Sequence, residues 1–244
     1  MWIIDRPSPN FNARRNGALP RLVVLHHTAM RTCAAASDRL CDPAAEVSSH
    51  YLVGEDGAVI RLVPEEMRAW HAGAGAWGSI GDVNSASIGI ELANPGPLAG
   101  FPPFPAPQMR ALEDLLARVM ARWSIPPRGV IAHSDMAPGR KADPGPKFDW
   151  RGLARLGLSV WPDADAGAGA GAGPGAEGWA AFRSAALAFG YRPPGVDGWP
   201  AVLAAFRLRF RPRGRGAEPD GADVAAITAL AARHPFVDPG PAGG

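Results

Sequence analysis

Residues 162–178, PDADAGAGAGAGPGAEG, are Gly or Ala at twelve of seventeen positions and hold no large apolar side chain, so burial cannot offset the entropy of ordering their backbone. Any folded structure must be built from the stretches on either side. The tract therefore reads as a flexible linker over 162–177, between a larger unit at 1–161 and a smaller one at 178–235, with a tail at 236–244. The expectation is that the two units fold independently.

Before the tract, apolar runs alternate with helical periodicities. RLVVL, residues 21–25, is a continuous apolar run of the kind a buried strand makes, and it ends in His26 and His27. Successive strand residues point to opposite faces: Leu22, Val24 and His26 share one side, Val23, Leu25 and His27 the other. Because both sides are apolar, periodicity does not say which imidazole faces a site. VSSHYLVGEDGAVIRLVP, 47–64, reads as a hairpin turning at Glu55-Asp56-Gly57. In ASIGIEL, 86–92, Ile88, Ile90 and Leu92 alternate with Ser87, Gly89 and Glu91, which presents a carboxylate from the face opposite the isoleucines. PQMRALEDLLARVMARW, 107–123, has its apolar residues at helical spacing, and GVIAH, 129–133, is another short strand closing on a histidine, His133. Strands interleaved with helices predict an α/β domain.

After the tract, 178–191, 198–210 and 220–234 read as three short amphipathic helices punctuated by Gly and Pro. This module holds eight arginines against four acidic residues, and FRLRFRPRGRG, 206–216, contains five of them. Two readings stand equally: a solvated helix end, or a surface for an anionic polymer. The whole chain of 244 residues has a formal charge of only +2, which argues against a nucleic-acid partner. No apolar stretch is long enough to cross a bilayer. The opening MWIIDRPSPNFNARRN lacks a basic region, an apolar region and a small-residue cleavage site, so the expected location is cytoplasmic, with the periplasm or cell envelope as the alternative. Cys33 and Cys41 lack metal-ligand spacing and read as free thiols.

Metal-assisted hydrolysis needs ligands that fix a Lewis acid yet leave one position open for water, and catalytic zinc takes three side chains from His, Asp or Glu. Candidates are His26 or His27, His133, and then Asp135, Asp143 and Asp149 in HSDMAPGRKADPGPKFDW. There is no HExxH helix, CxxC pair or GxSxG elbow, and GAGAGAG lacks the strand and helix that a phosphate loop requires.

The segments VVLHHTA, SSHYLV, RAWHAG, SIGIELAN and AHSDMAPGRKADPGP, in that order, closely resemble the type-2 N-acetylmuramoyl-L-alanine amidases, a group that includes AmpD- and AmiD-like enzymes and peptidoglycan recognition proteins. The resemblance implies a mixed central β-sheet flanked by helices. It also implies one Zn2+ per chain held by His26, His133 and Asp143, with Glu91 as the catalytic carboxylate and Lys141 supporting the transition state. The KxDPGP pattern favours Asp143 over Asp135. The implied reaction is hydrolysis of the amide between the lactyl group of N-acetylmuramic acid and L-alanine, in peptidoglycan or in muropeptide fragments, by a monomer. His71 is expected to contact substrate, and His50 to have a structural or supporting role. The alternative is a protein of the same fold that binds peptidoglycan without cutting it; such sensors tend to lack a zinc ligand, and all three candidates are present. FGYRPPGVDGWPAVLAAFRLRFRP, 189–212, resembles a peptidoglycan-binding three-helix domain, with Arg207 where a glutamine is usual.

Overall fold

The apolar runs do become strands. The computed structural model describes residues 3–162 and 175–238; most of the tract read as a linker, 163–174, and the end of the expected tail, 239–244, lie outside these. In chain order the strands are β1 (Ile3–Asp5), β2 (Phe11–Ala13), β3 (Leu22–His27), β4 (Tyr51–Val53), β5 (Val59–Arg61), β6 (Met67–Ala69), β7 (Ser87–Leu92) and β8 (Val130–Ala132). The helices are α1 (Cys33–Cys41), α2 (Val83–Ala86), α3 (Ala106–Trp123), α4 (His133–Met136), α5 (Trp150–Arg155), α6 (Ala176–Phe189), α7 (Trp199–Phe210) and α8 (Gly221–Arg233).

Six strands form one mixed sheet in the order β1-β5-β4-β7-β3-β8, and β2 pairs with β6 in a separate ribbon. β3 runs parallel to both β7 and β8, whereas β4 and β5 form the expected antiparallel hairpin. Its turn uses Gly57 at φ +89°, a conformation glycine adopts without steric cost, and Asp56 Oδ1 accepts the Ala58 amide at 2.9 Å.

The alternation read in β3 and β7 separates two cores. Val23, Leu25, Ile88, Ile90 and Leu92 pack under the apolar stripe of α3 (Leu112, Leu115, Leu116, Val119) and under Trp150 and Leu153 of α5. Leu22 and Val24 face the other way, and there the expectation of two independent units fails. Leu22, Val24, Trp77, Val83 and Ile131 belong to the same core as Phe182, Phe189, Tyr191, Phe206 and Phe210 of the helical module. The Trp77 ring meets Phe189 and Tyr191 edge-on, with centroids 5.5 and 5.0 Å away, and the Gly78 amide donates to the Gly190 carbonyl at 2.7 Å. The three C-terminal helices therefore form a layer on the sheet domain, and a linker composition alone could not reveal it. Cys33 and Cys41 are free, as expected. No described helix is long and apolar enough to cross a membrane.

Candidate active site

β3, β7 and β8 are parallel, and their C-terminal ends open into one cleft of about 420 Å³, the usual place for a site in such a sheet. His26, next to last in β3, stands on the same rung as Glu91 of β7. His133 begins α4 directly after β8, and the chain then turns so that the Ser134 amide donates to the Asp143 carbonyl at 3.1 Å, bringing Asp143 back beside it.

Three electron-pair donors converge there. His26 Nδ1 lies 2.8 Å from His133 Nδ1 and 3.0 Å from Asp143 Oδ2, and His133 Nδ1 lies 2.9 Å from the same oxygen. The hydrogen bonds behind them assign the tautomers. Ser87 Oγ donates to the Val83 carbonyl (2.5 Å) and so accepts from His71 Nε2 (3.1 Å). His71 Nδ1 then accepts from His26 Nε2 at 3.0 Å, and His133 Nε2 donates to the Ala72 carbonyl at 2.9 Å. Both Nδ1 atoms consequently turn lone pairs toward a carboxylate. Burial, followed by the neighbouring His133, lowers the His26 pKa to about 4, so a proton does not fill the gap near neutral pH. A cation placed among the three atoms would satisfy all of them. Two neutral imidazoles and a carboxylate are a common donor set for a divalent transition metal, and the group His26, His133 and Asp143 could hold one.

Beside this triad, Glu91 has Oε2 buried with no hydrogen-bond partner among the described residues. Burial first, and then the Asp143 charge, push its pKa up to about 8, against the opposing influence of Lys141. Lys141 lines the same cleft.

Residues 16–146 match the family model described as N-acetylmuramoyl-L-alanine amidase, over a span that contains every one of these groups. The chain belongs to that family. Across 95% of its length it is 36% identical to the N-acetylmuramoyl-L-alanine amidase AmiD of Escherichia coli K12, covering 91% of that relative. The solved E. coli AmiD complex with anhydro-N-acetylmuramic acid-L-Ala-D-gamma-Glu-L-Lys superposes with a TM-score of 0.79 over 90% of this chain and 92% of that one. AmpDH3 of Pseudomonas aeruginosa, solved in complex with an anhydromuramic pentapeptide, is 30% identical, with a TM-score of 0.76 over 95% of this chain and 96% of that one. The 1,6-anhydro-N-acetylmuramyl-L-alanine amidase AmpD of Citrobacter freundii is 31% identical but spans only 67% of this chain, and 94% of its own length. The likeness to AmiD and AmpDH3 thus extends beyond the sheet domain.

Other residues of this amidase have positions that the sequence did not reveal. His71 borders the cleft, but both its ring nitrogens are engaged within the protein, by His26 and Ser87, so it holds the His26 ring in place and has no free ring nitrogen to offer. His50 stands behind it: Nδ1 accepts the Gly89 amide at 2.9 Å and Nε2 donates to the Met67 carbonyl at 3.1 Å. Asp135 points away from the triad and accepts from Tyr191, Arg209 and the Ala132 amide, while Asp149 caps α5 through the Gly152 amide. Arg140 was not singled out from the sequence, yet its guanidinium bonds the Ala72 and Ala74 carbonyls beside His133. Ser87 could have been found, since it shares a strand face with Glu91.

The arginine-rich run turns inward. Arg207 grips Asp223 through Nε (3.0 Å) and Nη2 (2.5 Å) and also donates to the Gly216 and Glu218 carbonyls. Arg209 pairs with Asp135, and Arg211 with Asp220 and Asp223. Three of the five charges are thereby neutralised by carboxylates, leaving Arg213 and Arg215 exposed. This is too little free charge for an anionic-polymer surface.

Proposed function

We propose that the protein is a zinc-dependent N-acetylmuramoyl-L-alanine amidase that hydrolyses the amide between the lactyl group of N-acetylmuramic acid and L-alanine in peptidoglycan or its soluble fragments. The observation that carries this reading is the convergence of His26 Nδ1, His133 Nδ1 and Asp143 Oδ2, with tautomers that leave lone pairs on both nitrogens. These three residues would hold the ion. When bound, zinc supplies Lewis acidity toward a water molecule and the scissile carbonyl.

The chain's own groups handle the proton and the charge. Glu91, on the same rung as His26 and with Oε2 unpartnered among the described residues, is suited as the carboxylate to take a proton from the attacking water and return it to the departing amine. Lys141 contributes a fixed positive charge on the cleft wall, suited to stabilising the oxyanion that develops at the carbonyl. The solved complexes of AmiD and AmpDH3 with anhydromuramic peptides support a muropeptide as the occupant of this cleft. A sensor that binds without cutting is the weaker reading, because Glu91 and Lys141 accompany a complete ligand triad.

The test is parallel digestion of purified sacculi and soluble anhydro-muropeptides, before and after exhaustive chelation. Chelation should abolish release of L-alanine amino termini, and added zinc should restore it. Full activity in protein shown by elemental analysis to be metal-free would end the proposal.

A further inference from the structure

β8 runs into α4 with no loop between them, so the ligand His133 is only as well fixed as these two short elements. The residues around it are held by one guanidinium from the helical module. Arg209, on α7, pairs through Nη1 with Asp135 Oδ2, and through Nη2 it donates to the Val130 carbonyl at 3.0 Å and to Ser159 Oγ at 3.1 Å. Asp135 is further bound by the Tyr191 hydroxyl at 2.7 Å and itself accepts the Ala132 amide at 2.9 Å. Val130 and Ala132 precede the ligand and Asp135 follows it, so a single clasp spans His133. The guanidinium lies against two rings, its carbon 4.1 Å from the Trp150 centroid and 4.6 Å from that of Phe210. Arg209 is 2% exposed and Asp135 0%.

A buried ion pair is a poor source of net stability, since apolar residues of similar volume commonly serve as well. What this pair provides is position. Arg presents a rigid planar fork that can meet a carboxylate and a carbonyl together. Asp143 is tied to the same segment through the Ser134 amide, so fixing α4 fixes two of the three ligands. From this geometry we infer that Arg209, acting through Asp135 with Tyr191, is a positioning residue for His133, and that the C-terminal helical module thereby sets the affinity of the site for its metal. The inference rests on the metal reading proposed above.

The experiment measures the zinc dissociation constant of the full chain by competition with a chromophoric chelator, and the unfolding temperature of the metal-free protein. Arg209→Met should raise the zinc Kd by about 10- to 100-fold, the range seen when groups behind a ligand are removed. Arg209→Lys keeps the charge but not the fork and should fall between. If Arg209→Met does not fold, the double variant Arg209→Met/Asp135→Asn removes the clasp without leaving a buried carboxylate unpaired and should show the same weakening. Phe182→Leu, a cavity in the helical module away from the clasp, should lower the unfolding temperature yet leave the zinc Kd unchanged. Equal zinc affinity in wild type and the Arg209 variants overturns this inference alone, as does equal weakening by Phe182→Leu. A wild-type chain that binds no zinc overturns the metal reading itself.

Discussion

His26 and Glu91 stand on one rung of the parallel strands β3 and β7, so backbone hydrogen bonds, not loop conformation, fix the distance between the first proposed ligand and the proposed proton carrier. Glu91→Gln preserves shape and strand pairing but cannot take a proton. Turnover should fall by roughly 10²–10⁴ with zinc content unchanged, measured by amide release and by elemental analysis of the same preparation. A near-normal rate would remove Glu91 from the mechanism.

His26 and His27 should behave differently although they are neighbours. His26→Ala deletes a nitrogen of the triad, so bound zinc and activity should disappear together. The ring of His27 instead lies against Phe101, centroids 6.0 Å apart, and neither of its nitrogens has a partner among the described residues. His27→Phe removes two unsatisfied polar atoms and should keep zinc near one per chain, with stability within about 1 kcal/mol of wild type in denaturant unfolding. Loss of zinc from the His27 variant and its retention without His26 would reverse the assignment.

The choice between these histidines shows where the sequence stops being informative. Alternation placed Glu91 opposite Ile88 and Ile90 correctly, because one face of β7 carries small and polar residues. β3 is apolar on both faces because each covers a different core, so its pattern holds no such asymmetry. Assigning His26 needed the resemblance of whole segments. Arg209 was legible only as a charge: its partner Asp135 lies 74 residues away, and no local spacing encodes such a contact. The same limit hid the docking of the helical module. A Gly-Ala tract shows that its own residues cannot build a core, but says nothing about whether the segments it joins share one.

That shared core changes what truncation should do. A chain ending at Trp161 would uncover Leu22, Val24, Trp77 and Ile131 and leave the Asp135 carboxylate without Arg209 or Tyr191. Breaking the ion pair alone costs several kcal/mol, so the unfolding midpoint should drop by roughly 10 °C or more, accompanied by aggregation. Calorimetry of the truncated and full chains checks this; an unchanged midpoint would mean that the contacts between module and sheet contribute little to stability.

Acid should destabilise the metal-free fold through His50. This ring is 0% exposed, and burial, reinforced by the nearby Arg14 charge, lowers its pKa to about 3, against about 6.5 in an unfolded chain. The neutral form is built in, because Nδ1 accepts the Gly89 amide and a proton placed there would face another N–H. A depressed folded pKa means that the unfolded state binds the proton first. The stability contributed by neutral His50 is therefore complete above pH 6.5 and is lost progressively as pH falls toward 3, at up to about 1.4 kcal/mol per pH unit. His26 titrates in the same direction, down to about 4, whereas Glu91, raised to about 8, takes its proton first in the fold and opposes both, so the His50 contribution is read from the difference between wild type and variant. His50→Gln, whose amide can still accept from Gly89 and donate to Met67, removes one titrating group and should lower the slope of stability against pH by about one proton, at some cost in stability at pH 7.5. Denaturant unfolding of metal-free wild type and variant between pH 7.5 and 5 measures both slopes. If the two coincide, His50 is not buried in its neutral form.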